Sequence, residues 1–397
     1  MALGDGAIYL LLCPDGEGTL WTPSAAKYPA MTYDDRQAHA AGQTMRRPMF
    51  SALRPAVEEV LQTYAVDQTA QFGQLIRDEL AHIAHVDPHR SPDQKHLHDL
   101  YELRARMLDW ELGTGYLGYF SQNPGTRYTF TKRLEAVVQM LPVPLQPDQT
   151  ASHSWRVLEI GCGAGMLCLE LARKAEWVVG IDVSHFVLNF ANRVKHAVGY
   201  TNVAFQQGDA ERLAFPDNSF DVVICSEVLE HLLDPQHALA EIRRVLKHNG
   251  TCILTTPCAV SLSDLCVSGL RVFHRHLESE KDLQFDKKTY LAVKRRHLTE
   301  GQAAEQMTQE VTDDTFMRIH TRFRYRDLVV MLHRTGFEID QTVGTVFAFP
   351  PHYQVFYRYC PGFLLTGVRG LEWILNQLHI FPRWGAVTTC FRVHPTS

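Results

Sequence analysis

Two short stretches hold the residues whose types and spacing suit them for chemistry. In the first, Arg156–Asp182, the glycines Gly161, Gly163 and Gly165 follow directly on an apolar run, and Asp182 stands 21 positions after the first of them. Glycines at a strand end let the backbone approach a ligand with no Cβ in the way, and a carboxylate at the tip of the next strand can accept both hydroxyls of a ribose. The pattern is G-x-G-x-G, not the G-x-G-x-x-G that cradles a pyrophosphate, and Glu159 adds an acid just before the turn. Negative charge there disfavours a phosphate and suits a cationic, ribose-bearing ligand. The second stretch, Ser226-Glu227-Val228-Leu229-Glu230-His231, joins two carboxylates to an imidazole. His231 is the candidate general base, because an imidazole exchanges protons near neutral pH; orienting the pocket is its alternative role.

The surrounding sequence supplies elements to position these residues. Val157–Ile160 reads as a buried strand, Met166–Lys174 as an apolar-periodic helix and Trp177–Ile181 as a second strand, so the first stretch is a βαβ unit. Val203–Gln206 predicts a third strand, ending at Gly208-Asp209-Ala210, and Phe220–Cys225 a fourth that runs into the second stretch. A helix from about Pro235 to Leu246 is expected to stop at Asn249-Gly250, followed by a fifth strand, Thr251–Thr256. Tyr325–Gly336 reads as an amphipathic helix, Phe337–Phe349 as strand six and Ala386–Val393 as the last strand. Strands alternating with helices predict an α/β fold with a mostly parallel sheet.

In this order the motifs resemble those of the class I S-adenosylmethionine (SAM)-dependent methyltransferases, with a core similar to the ubiquinone-pathway O-methyltransferases. The resemblance is continuous over residues 155–258 and weaker over 320–394. It implies a Rossmann-like, seven-stranded, mostly parallel sheet with helices on both faces, and SAM as cofactor. It also implies methyl transfer to a small-molecule acceptor, oxygen ahead of nitrogen or carbon. Carried onto this sequence, cofactor contacts fall to Glu159, Gly161, Cys162, Gly163, Gly165 and Ser226, to Asp182 with Val183, and to Asp209 with Ala210 beside the adenine. The second stretch also resembles the E-x-x-E-H string of two metal-assisted subgroups. There Glu227, Glu230 and His231, with His320 as candidate fourth ligand, would hold a divalent ion; the metal-free mechanism is preferred, so no metal ligand is assigned. A metal-assisted RNA 2′-O-methyltransferase and a non-catalytic SAM-fold binding subunit are the competing readings. Intact glycines and Asp182 argue against the second of these.

Composition bounds the rest. A core of this kind needs roughly 200 to 250 residues, so a chain of 397 requires additions. They are expected as an N-terminal accessory region (1–95, a hairpin at 7–22 and two helices between Met49 and His85), a helical lid and linker (96–150), and an insert at about 258–317 within the core (151–397). The accessory helices suit packing or homodimerisation. Tyr116, Tyr119 and Tyr128 are candidates for a lid over the cofactor, with interface packing as the alternative. Residues 361–380 are rich in Leu and Phe; core packing is expected of them, and the mouth of a site for a lipid-like acceptor is the second reading. A net charge of -5 gives no reason to expect a nucleic acid as partner. Nine cysteines without a C-x-x-C pair, no stretch of 18 apolar residues and no basic residue before the run Ala7–Leu12 predict a cytoplasmic protein.

Overall fold

The computed structural model describes residues 10–11, 19–20, 50, 52–57, 59–60, 119, 123–142, 153–257, 321, 323–347, 356–357, 359–378 and 386–396. Two compact units are present, Met1–Arg47 and Pro48–Ser397. In the first, Leu10–Leu11 pairs antiparallel with Thr19–Leu20, within the hairpin expected at 7–22. The second holds seven strands: β1 His153–Ile160, β2 Ala175–Asp182, β3 Val203–Gln207, β4 Phe220–Ser226, β5 Leu246–Pro257, β6 Phe337–Phe347 and β7 Ala386–Pro395. Their order is β3-β2-β1-β4-β5-β7-β6, and β7 alone among these strands runs opposite to the other six.

Helices cover both faces: α1 Pro124–Gln139, α2 Met166–Leu171, α3 His185–Val198, α4 Pro235–Val245, α5 Tyr325–Arg334 and α6 Gly362–Gln377. A strand buried on both sides must be apolar at successive positions, because neighbouring side chains point to opposite faces. Val157, Val222, Ile224 and Ile253 accordingly join Val137 of α1, Leu167 of α2 and Phe190 of α3 in one core. Leu158, Ile160, Val223 and Leu254 join Ile242 of α4 and Leu332 of α5 in the other. Phe50, Leu53, Val57 and Val60 are buried in the first core, so the described residues of the accessory region between Phe50 and Val60 are part of this packing. The second accessory helix, Tyr116, the linker, the insert and His320 lie outside the described residues.

Two expectations are corrected. Asn249-Gly250 does not cap a helix: α4 ends at Val245, and β5 begins at once with Leu246, paired to Phe220 and fully buried. Burying a leucine stabilises by about 1.5–3 kcal/mol, whereas a glycine inside a strand costs about 0.5–1 kcal/mol, so the strand wins. The apolar segment 361–380 is core only in part, through Leu365 and Val368. It forms α6, whose Phe363 is 76% and Trp373 65% exposed while Glu372 is 2% exposed. Polar anchors decide that orientation. Glu372 accepts hydrogen bonds from Phe347 N (2.9 Å) and the Tyr128 hydroxyl and lies 3.9 Å from Lys132 Nζ. Asn376 holds both backbone groups of Gly344 (2.7 and 3.0 Å). Tyr128, one of the candidate lid tyrosines, is therefore interior, stacked on Tyr357, and Tyr119 packs against Phe50 and Phe130.

Candidate active site

The chain order reverses between β1 and β4, which lie side by side with Ile160 opposite Cys225. In an open α/β sheet the crevice beyond the carboxyl ends at such a switch point is where ligands bind. Both chemistry-bearing stretches open into it.

On the β1 side the turn from Gly161 to Gly165 carries φ of 66° at Gly161, 50° at Gly163 and 78° at Gly165, all left-handed. A Cβ at Gly161 would sit 2.3 Å from Val228 Cγ2, and one at Gly165 2.5 Å from the Phe205 ring, so neither position admits a side chain. The turn is tied down by Cys162 N donating to Ile181 O and Gly165 N to Cys162 O, both at 2.9 Å. Asp182 ends β2 with its carboxylate fixed from two directions: Gly163 N donates to Oδ2 and Ser184 N to Oδ1, each at 2.9 Å. Two amides thus aim the carboxylate from the turn and from the start of α3. Val183 follows, its carbonyl accepting from Gln207 Nε2. Beyond β3, Gly208 N donates to Asp182 O, Asp209 Oδ1 accepts from Glu211 N at 2.8 Å, and Ala210 is buried.

Glu159 is not at the surface of the crevice. It lies beneath the turn, 5% exposed, with Oε2 accepting from the Cys168 thiol of α2 at 2.9 Å. Burial pushes its pKa up to about 7, against the opposing pull of the Cys168 hydrogen bond and the Arg133 cation.

On the β4 side a chain of hydroxyls links the ends of two strands to α1. Arg133 Nη1 donates to Ser226 Oγ (3.1 Å), Ser226 Oγ lies 2.9 Å from Thr255 Oγ1, and Thr255 Oγ1 donates to Glu227 Oε1 (3.0 Å). Arginine can only donate, and each hydroxyl has one proton; with Thr255 committed to the carboxylate, Ser226 must donate to Thr255. Glu227 has φ 58°, a left-handed conformation that redirects the chain as β4 ends. Burial raises the Glu227 pKa, with Arg133 and Thr255 pulling the other way. Burial disfavours the Arg133 cation, but Glu227 and its neighbours more than offset this and hold its pKa above the ordinary value. Glu230 is 1% exposed and raised well above the usual carboxylate range, first by burial and then by Glu227. Its Oε1 lies 3.9 Å from His231 Nε2, and His231 is half-buried at the rim. Among the described residues no group of three His, Cys, Asp or Glu is arranged to hold a metal ion.

The structure thus gathers Gly161, Cys162, Gly163, Gly165, Asp182, Ser226 and His231 at one edge of the sheet, with Asp209 and Ala210 after the adjoining strand. Arg133 and Thr255 were not singled out from sequence. Arg133 is 93 positions from Ser226, and only an arginine set among the apolar residues of a helix hinted at it.

Residues 151–316 match a family model described as a methyltransferase domain. With the sheet order above, residues 151–316 are thereby described as a methyltransferase domain of the SAM-dependent kind, a family whose cofactor is SAM. The chain is similar to the uncharacterized methyltransferase YcgJ of Bacillus subtilis (strain 168), 39% identical over 25% of this chain and 39% of that protein. It is also similar to the ubiquinone biosynthesis O-methyltransferase of Alkalilimnicola ehrlichii, 40% identical over 28% of this chain and 48% of the relative. The chain spans less than half the length of these relatives. Among solved structures, the [4+2]-cyclase SpnF matches 77% of this chain and 98% of its own at 18% identity, with a TM-score of 0.46.

Proposed function

We propose that this chain transfers the methyl group of SAM to an oxygen of a small-molecule acceptor. The observation that carries the reading is the cradle at the switch point. Three left-handed glycines clear the space beside Asp182, and the carboxylate is fixed by two amides next to that space. These residues fit the cofactor of the family: the turn admits its amino-acid part, Asp182 accepts the ribose hydroxyls, and Asp209 with Ala210 borders the adenine. Bound there, SAM supplies an electrophilic methyl group on a sulfonium. The protein's remaining work is to hold an acceptor hydroxyl in line and to take its proton.

His231 takes that proton in this reading; it follows β4, and its Nε2 lies 3.9 Å from Glu230 Oε1. Burial first, and then Glu227, hold the Glu230 carboxyl well above the usual carboxylate range, which favours its neutral form beside His231. Ser226 and Glu227, held through Thr255 and Arg133, fix the wall of the crevice next to His231. Similarity to an O-methyltransferase favours oxygen as the acceptor atom.

The test is incubation with methyl-labelled SAM and a metabolite extract, followed by mass spectrometry of labelled products. His231→Ala should lower kcat on the identified acceptor by about 10²- to 10⁴-fold with SAM affinity unchanged. Equal loss of cofactor affinity would make His231 an orienting residue, and full activity would remove it from the mechanism.

A further inference from the structure

The helix α6 is turned inside out for a surface helix. Its acid faces the interior, and the side it presents outward is apolar: Phe363, Leu364, Leu371, Trp373, Ile374 and Leu378 are 76, 47, 39, 65, 49 and 59% exposed. Single exposed apolar residues need no explanation, but six on one 16-residue helix and its last turn form a continuous patch, and such patches mark interaction sites. The helix is not loose. Glu372 and Asn376 fasten it to β6, and Leu365 and Val368 pack it on Tyr128 and Tyr357.

Charge indicates what the patch meets. Although the whole chain is acidic, at -5, the sequence from Tyr353 to Phe391 carries Arg358, Arg369 and Arg383 against a single acid, Glu372. That acid is buried and engaged with Tyr128 and Lys132, so no anion is offered by the exposed side of α6. Arg369 lies over the Tyr128 ring at 5.2 Å, at the margin of the apolar face. An apolar face with Phe and Trp that offers no anion and has Arg369 at its margin is complementary to an anionic lipid surface: the rings enter the headgroup boundary and the arginine meets the phosphates.

We infer that α6 docks this protein peripherally on an anionic membrane surface, with Phe363, Trp373 and Leu378 entering the lipid. The position suits a role beside the reaction. Thr388 pairs with both Pro257 of β5 and Thr345 of β6, so α6 hangs from the same edge of the sheet onto which the active site opens.

The experiment is flotation of the full chain with vesicles of phosphatidylcholine alone and with added phosphatidylglycerol. The wild type should float with the anionic vesicles and far less with the neutral ones. Phe363→Ser with Trp373→Ser should reduce flotation on the order of tenfold or more, with thermal unfolding and SAM affinity unchanged. Should that variant fail to fold, Ile374→Ser with Leu378→Ser serves the same purpose. Three results would overturn the inference: no flotation of the wild type, equal flotation of a folded variant, or equal binding to neutral vesicles. Self-association of the wild type that the variant abolishes, without vesicle binding, would assign the face to a second copy of the chain.

Discussion

Glu159 shows how far burial can carry a single carboxyl. Its folded pKa of about 7 lies above that of an unfolded glutamate, so the fold favours the protonated form. The sign follows from linkage: the stability this group contributes is complete below the unfolded value and is lost as pH rises towards 7, because ionisation then costs the folded state more than the unfolded one. Glu159→Gln keeps an oxygen that can accept from Cys168 and removes the ionisation. It should raise stability by on the order of 1–3 kcal/mol at pH 8 and leave it almost unchanged at pH 4. Thermal unfolding of both proteins across that range checks this, and an equal shift at the two pH values would contradict it. From the sequence, Glu159 read as a crevice-lining acid because it adjoins the glycine turn. The strand's two-residue period places it in phase with Val157, on the face covered by α1 and α2, where Cys168 meets it.

At the scale of elements, what was legible was local. The turn from β1 through α2 to β2 is written in adjacent residues, and the structure has the strand, glycines and carboxylate where the pattern put them. What was illegible depends on distant packing. Arg133 acquires its place only when α1 settles on the first core, and α6 was misread because periodicity in an apolar segment does not say which side faces inward. There Glu372, with two hydrogen-bond donors and a lysine waiting in the interior, outweighed the apolar residues. Glu372→Leu should therefore destabilise the protein even though it makes the interior more apolar. It leaves the Tyr128 hydroxyl and the Phe347 amide without that acceptor, at about 1–3 kcal/mol for a buried unsatisfied group. Urea denaturation measures this, and an unchanged or raised midpoint would show that the anchor does not hold α6.

For the whole molecule, one sheet serves two ends. Its central strands β2, β1 and β4 bring the glycine turn, Asp182 and His231 together, and its outer strand β6 carries the helix proposed to meet lipid. The central claim is that SAM binds at the first of these places. Titration calorimetry of SAM into wild-type protein and Asp182→Ala tests it most directly. Asp182 is half-buried and held by two amides, and a hydrogen bond to a charged group contributes about 1.5–3 kcal/mol, so affinity should fall roughly ten- to a hundredfold in a variant that still folds. SAM binding of equal strength to folded wild-type and Asp182→Ala protein would contradict the account.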